Sequence, residues 1–270
     1  MALRLYANSL SPFVRKVRIA LLEKRAAFDT IELARGADRT ELLRINPRGE
    51  VPALVDGDVV VTGSCVICDY LEDKIPRPAL LPAAPAERAR CRMLELAADT
   101  HSDVLQFFVF LVTVRRPELS AEYPNVQAKV SDAVKRHYGW LDGRLAGREY
   151  FFGDFSRADI ALIPHLTNLV HMGEAIPVAC AHLRSWMERM LLRESVQRDA
   201  AHALAAWEAA AAETDPFFRG DHIHWRGERV EWALRFGLGP WLMGEVEAGR
   251  AYFSPAPGEA PHGEAAPTER

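Results

Sequence analysis

The peptide Asn8-Ser9-Leu10-Ser11-Pro12-Phe13-Val14-Arg15-Lys16-Val17-Arg18 joins a strand to a helix, and every other assignment in the chain is keyed to that joint. Leu3 to Tyr6 ahead of it is a short apolar strand. Ser11 stands where a helix N-cap belongs, with Pro12 at the first helical position. A serine there accepts an orphan amide hydrogen bond, and a proline there gives none up. Phe13, Val17, Ala20 and Leu21 then recur on one helical face through Arg25. A hydroxyl is thereby set at the positive end of a helix beside a strand end, a position that suits an anion. The plain alternative is that Ser11 only caps the helix.

Downstream, Ala27–Glu32 alternates as a second strand, and Arg35–Leu43 is polar with a short helical piece. Asn46-Pro47-Arg48-Gly49 is a turn. Val51–Val55 and Val59–Thr62 flank Asp56-Gly57, a strong hairpin signal. Ser64 opens a helix with Val66, Ile67, Tyr70 and Leu71. The order β-α-β, then β-β-α, makes a small α/β layer. Ile75–Pro85 holds too much proline to continue a helix or a central strand and reads as a linker. Beyond it the pattern is helical: Ala86 to about Val114, Asn125–Leu145, Ser156 to about Met172, Ala179–Leu192 and Val196–Ala212, with no strand pattern in that half. Glu231 to about Arg250 reads as one more helix, broken near Gly237-Leu238-Gly239-Pro240. Pro255–Arg270, rich in Pro, Gly, Ala and Glu, is expected to be disordered.

At 270 residues, one or two domains are expected. Hydrophobic residues make up 49% and charged residues 26%, enough apolar material for a sizeable core. A net charge of -4 with Lys and Arg spread along the chain offers no footprint for nucleic acid. Phe107–Val114 is the longest apolar run and too short to span a bilayer. The start lacks a signal-peptide pattern, so a cytoplasmic protein with reduced thiols is expected. Cys65 and Cys68 form a CxxC, but the helix end where a redox pair belongs is held by Ser11. They read as small helix residues rather than redox thiols, with no second ligand pair for a metal.

Three separated pieces suit one ligand. Ser11 is the first. Val51-Pro52 is the second: a proline opening a strand sits at an edge or in a cis bond, which leaves the Val51 backbone for an extended ligand. Gly63-Ser64 is the third, a helix N-terminus that offers amides and a hydroxyl to a carboxylate. Together they fit a small anionic peptide that carries a thiol.

The motifs SPFVRKVRIALLEK (Ser11–Lys24), INPRGEVPALVDG (Ile45–Gly57), GSCVICDYLED (Gly63–Asp73), the proline-rich linker and FSRADIALIPHL (Phe155–Leu166) resemble the cytosolic glutathione S-transferases over residues 1 to about 210. The resemblance implies a thioredoxin-like α/β domain at 1–76, a linker at 77–86, an all-α helical-bundle domain at 87–214, an extension at 215–254 and a disordered tail at 255–270. It implies glutathione as co-substrate, a homodimer, a detoxification role and no metal. Ser11 aligns with the catalytic serine of the zeta and theta-like classes and the cysteine of the omega class, donating to the glutathione sulfur. Val51 pairs with the cysteinyl backbone, Pro52 is the family's cis-proline, Ser64 takes the γ-glutamyl carboxylate, and Ser156–Asp159 is a capping box.

Gly63 departs from the family, which carries a glutamate there that pairs with the ligand's amino group; Asp69 or a partner subunit is the candidate replacement. Ser9 rivals Ser11. Arg15 and Lys16 read as solvated, and Arg35, Arg39 and Arg48 as surface charges able to hold a glycine carboxylate. For the second substrate, Phe13, Phe107, Phe108, Phe110 and Leu111 offer an apolar pocket with Arg115 at its mouth; the alternative is that most are core. His101, His165 and His171 read as packed or surface residues, and His222 and His224 lack further metal ligands. The expected reaction is attack of glutathione thiolate on a small apolar electrophile. A glutathione-dependent isomerase or dehalogenase uses the same apparatus, and a non-catalytic binding protein that has lost glutathione is the other class.

Overall fold

The computed structural model describes residues 2–33, 40–212 and 223–254. The expectations for Arg35, Arg39, His222 and the tail at 255–270 lie outside the described residues.

The first half folds as β1 (Leu3–Ala7), α1 (Pro12–Glu23), β2 (Phe28–Glu32), α2 (Thr40–Ile45), β3 (Ala53–Asp56), β4 (Val59–Thr62) and α3 (Ser64–Lys74). The sheet order is β2-β1-β3-β4, with β1 parallel to β2 and the other pairs antiparallel. Strand alternation explains the layering. Leu5 and Leu54 join Val14, Val17, Leu21, Ile67 and Leu71 under α1 and α3. Tyr6, Ala53 and Val55 pack with Leu42 of α2 on the other side.

The linker runs from Lys74 to Pro85 without regular structure and is pinned. Leu80 N–H donates to Glu72, Leu80 C=O accepts from Arg157 N–H, and Lys24 holds Pro78 C=O at 2.8 Å. Then come α4 (Pro85–Ala97), α5 (Asp103–Phe110), α6 (Leu119–Glu122), α7 (Val126–Leu145), α8 (Arg157–His171), α9 (Ala181–Leu191) and α10 (Glu194–Ala212). The single helix expected from Ala86 to Val114 is interrupted by π-helical turns at Ala98–Ser102 and Leu111–Arg115. Such turns insert a residue and re-aim the following side chains.

α8 is the central strut, with Ile160 through Leu166 all buried. Asp159 holds its start. One carboxylate oxygen accepts from the Ser156 amide and hydroxyl, the other from Trp186 Nε1 at 2.8 Å and the Phe151 amide.

Arg15 and Lys16 correct the sequence reading. Both are buried, as is Arg18. Arg15 donates to Asp199 at 2.7 Å and to Asn168 at 2.7 Å, and Arg18 donates to the other Asp199 oxygen at 3.0 Å. Lys16 reaches Asp99 at 2.5 Å and Glu95 at 3.3 Å. These cations fasten α1 to the helical half. Each is paired, which is the condition for a charge to stay buried.

A last unit, β5 (Ile223–Trp225), α11 (Gly227–Phe236), α12 (Gly239–Glu247) and β6 (Ala251–Phe253), follows. The helix break at Gly237 falls where the sequence puts it, with Gly237 at φ 85° closing α11. β5 and β6 pair in parallel, Ile223 opposite Ala251, and the sequence reading assigned no strand there. Three residues are too few to show a period of two. Trp225 is buried against Phe107, Phe108 and Trp241, which seats the unit on α5. Among the described residues no helix is long and apolar enough to cross a membrane.

Candidate active site

Two neighbouring cavities open where the α/β layer, α5 and the last unit meet. The smaller, about 390 Å³, is lined by Val51, Pro52, Gly63, Ser64, Cys65, Asp99 and Asp103, among others. The larger, about 890 Å³, is lined by Ser11, Phe13, Val51, Phe107, Phe110, Arg115, Trp207 and residues of β5 and β6. Phe13, Arg48, Glu50, Val51, Asp103 and Arg226 line both.

Each feature has a local cause. Val51-Pro52 is a cis peptide, and the β3 ladder begins only at Ala53, so Val51 stands outside it. Ser11 has the extended backbone of an N-cap, at φ −75° and ψ 121°, but its hydroxyl makes no capping hydrogen bond. Gly63 turns β4 into α3 at φ +83°, a backbone region that side chains rarely adopt. The π-helical turn at Ala98–Ser102 brings Asp99 and Thr100 to the smaller cavity.

Residues 5–79 match the family described as Glutathione S-transferase, N-terminal domain, and residues 124–189 match Glutathione S-transferase, C-terminal domain. The chain belongs to the glutathione S-transferase family. Glutathione S-transferase Z2 of Arabidopsis thaliana is 44% identical over 206 residues, covering 72% of this chain and 90% of that protein. A Stringent starvation protein A homolog of Coxiella burnetii is 29% identical over 178 residues, covering 66% of this chain and 80% of that protein. A glutathione S-transferase structure from Rhodospirillum rubrum F11 superposes with a TM-score of 0.60 at 29% identity, covering 73% of this chain and 91% of that one. The thioredoxin-like domain and the helical domain of the glutathione S-transferases are thus the two halves described above. The family matches end at residue 189, so the unit from Ile223 onward lies beyond them.

Against that family frame, several sequence assignments change. Ser9 does not line either cavity. It is buried, donates its hydroxyl to Glu32 at 2.9 Å and accepts from Arg18 at 2.7 Å. Phe108 and Leu111 are also fully buried and line neither cavity, Phe108 being spent on Trp225 and Phe236. Phe107, Phe110 and Arg115 do line the larger one. Asp69 is engaged by Arg92 and Arg157 and offers no charge in place of a residue-63 carboxylate. Arg48 is exposed, as read from the sequence, and donates to both Glu50 oxygens, at 3.0 and 3.2 Å.

The floor of the smaller cavity is a charge cluster. Cys65 Sγ lies 2.9 Å from Asp99 Oδ2 and 3.4 Å from Lys16 Nζ. Burial works against the Lys16 charge, but Asp99 and Glu95 outweigh it and raise the ammonium pKa. Burial raises the Cys65 thiol, only partly opposed by Lys16, and pushes Cys68 up to about 12. Both cysteines are therefore held as thiols, which argues against a reactive redox thiolate. Cys65, Glu95 and Asp99 do come within metal-binding distance of one another, but Lys16 already sits among them. Asp99 Oδ1 is buried and accepts no hydrogen bond.

Besides Asp99 on the first π-helical turn, the residues that sequence reasoning missed come from the last unit. Arg229 forks onto both Asp103 oxygens, the closest contact 2.9 Å, and lies over the Phe107 ring at 4.2 Å. His224 and Ser254 share a hydrogen bond at 2.8 Å, and Ser254 donates to Glu50 at 2.7 Å. Burial alone would raise the Glu50 carboxyl, but Arg48, Ser254 and Arg226 hold it below its ordinary value. The charged run Arg219–Arg229 was the only sequence signal for these contacts.

Proposed function

We propose that this chain binds glutathione and transfers its thiolate to a small electrophile. Support comes chiefly from the Ser11 hydroxyl, which holds an N-cap position without a capping bond and borders a cavity shared with Val51. A free thiol with a pKa of about 8.5 is only a few per cent ionised at pH 7, so a positioned donor matters. In this reading Val51 pairs with the cysteinyl backbone, Pro52 shapes that bend, and the Gly63-Ser64 helix end takes the γ-glutamyl carboxylate. Asp99, a carboxylate that lines the smaller cavity with Gly63 and Ser64, takes the ligand's ammonium group in place of the absent residue-63 carboxylate. The protein works as a cytoplasmic homodimer in detoxification, without a metal.

A second reading is a non-catalytic binding protein that keeps the fold and has lost glutathione. Gly63 and the last unit's reach over the site favour it, as does similarity to a protein named for stringent starvation rather than for transfer. Calorimetry with glutathione separates the two. Affinity between micromolar and millimolar supports the transferase, and no heat at millimolar glutathione overturns it.

A further inference from the structure

The charges that line the two cavities are sorted by sign. In the smaller one, the described lining residues include Glu50, Asp99, Asp103 and Glu228 against Arg48 and Arg226. In the larger one they include Arg48, Arg115, Arg226 and Arg229 against Glu50 and Asp103. The pairing within the larger cavity singles out one of these cations. Arg229 is spent on Asp103, Arg48 is spent on Glu50, and Arg115 is buried and engaged within the protein. Among the described residues Arg226 has no such hydrogen-bonded partner. Its nearest carboxylate oxygen is Glu50 Oε1 at 3.9 Å, an atom that already accepts from Arg48 and Ser254. Among the described residues its guanidinium donates no hydrogen bond. It lies over the Phe13 ring, 4.7 Å from the centroid, and its side chain is 33% exposed.

We propose that Arg226 selects the second substrate by its anionic group, and that this substrate is an electrophile with a carboxylate on an aromatic or apolar body. This rests on the conjugation reading above. A guanidinium is charged at every working pH, and its planar fork matches a carboxylate with two parallel bonds. The Phe13 ring beneath it fixes the plane of that fork. Phe13, Phe110, Trp207, Tyr252 and Phe253 supply apolar and aromatic walls for the rest of the molecule. The acidic lining of the smaller cavity suits the ammonium end of a peptide and disfavours a further anion there. The residue comes from the unit beyond the family-matched segments, so the specificity belongs to this chain's own addition to the fold.

The test uses the full chain, glutathione, and two electrophiles that differ only in the carboxylate, 4-chloro-3,5-dinitrobenzoate and 1-chloro-2,6-dinitrobenzene. Each kcat/KM is divided by the uncatalysed rate constant for that electrophile. The ratio of the two values should fall about 10- to 100-fold in R226Q and recover in part in R226K, as expected for one charge-assisted contact. Binding of unreactive 3,5-dinitrobenzoate, measured by calorimetry without glutathione, should weaken by a similar factor in R226Q, with an unchanged melting temperature reporting an intact fold. An unchanged ratio together with unchanged binding overturns the proposal. So does an equal loss for both electrophiles carried by the KM for glutathione, which would assign Arg226 to the peptide's own carboxylate. Arg226-dependent binding of the dinitrobenzoate without conjugation of either electrophile supports the anion site and removes the transferase reading. Conjugation of both without Arg226-dependent discrimination does the reverse.

Discussion

Ser9 and Ser11 are two residues apart, and their hydrogen bonds separate their roles. Ser9 sits between Arg18 and Glu32 and holds them, whereas Ser11 keeps its hydroxyl uncommitted at the rim of the larger cavity. Ser11→Ala should cut conjugation of a chromogenic electrophile by about 10- to 1000-fold, the loss typical of one oxyanion-type donor, with little change in melting temperature. Ser9→Ala should instead cost about 1–3 kcal/mol of stability in urea unfolding, because Arg18 loses a buried acceptor. If Ser9→Ala abolishes turnover while Ser11→Ala is fully active, the assignment is reversed. Helix-cap chemistry made Ser11 legible in the sequence. Arg15 and Lys16 were not legible, because the carboxylates that bury them lie 184 and 83 positions away. Arg226 was hidden for the same reason, its setting being built by Phe13 and Glu50 from the far end of the chain.

At the scale of elements, the α/β order, the Asp56-Gly57 hairpin and the interrupted final helix could all be read, since each carries a turn signal or a long apolar period. The π-helical turns and the β5–β6 pair could not. A π turn leaves the apolar spacing almost intact, and three-residue strands carry no period. α3 and α4 show what remains unpartnered. Val66, Met93 and Leu96 are 57%, 68% and 59% exposed, on helices tied together by the Arg92–Asp69 bond. Three exposed large apolar side chains on two adjoining helices suit a covering partner. The proposed homodimer is expected to use this face, so Met93→Glu should shift sedimentation from twice the chain mass toward one chain. A wild-type protein that sediments as a single chain would discard the dimer.

For the whole molecule, two buried histidines and the half-buried His224 set the acid limit. Burial lowers His137 to about 3 and both His165 and His224 to about 4, from an ordinary 6.5. Below pH 6.5 the unfolded chain takes up these protons and the folded chain does not. Stability is therefore full above 6.5 and declines as pH falls toward 4, by up to about 1.4 kcal/mol per pH unit for each histidine. Urea midpoints should drop between pH 6.5 and 5.5 by the equivalent of about 3 kcal/mol. A flat or rising midpoint over that window would show that the three histidines take up protons in the folded state. Two halves with a proline-rich joint were plain from composition, while the way they lock together depended on buried ion pairs that no local pattern announces.

The described chain comes back to the candidate site at Ser254, whose hydroxyl donates to Glu50. Loss of the Ser254 hydroxyl would take one donor from an oxygen of Glu50 at the rim shared by both cavities. Leu3, by contrast, begins β1 at the end of the strand away from Ser11. Purification handles and fluorescent labels at the amino terminus therefore extend from the strand end remote from both cavities.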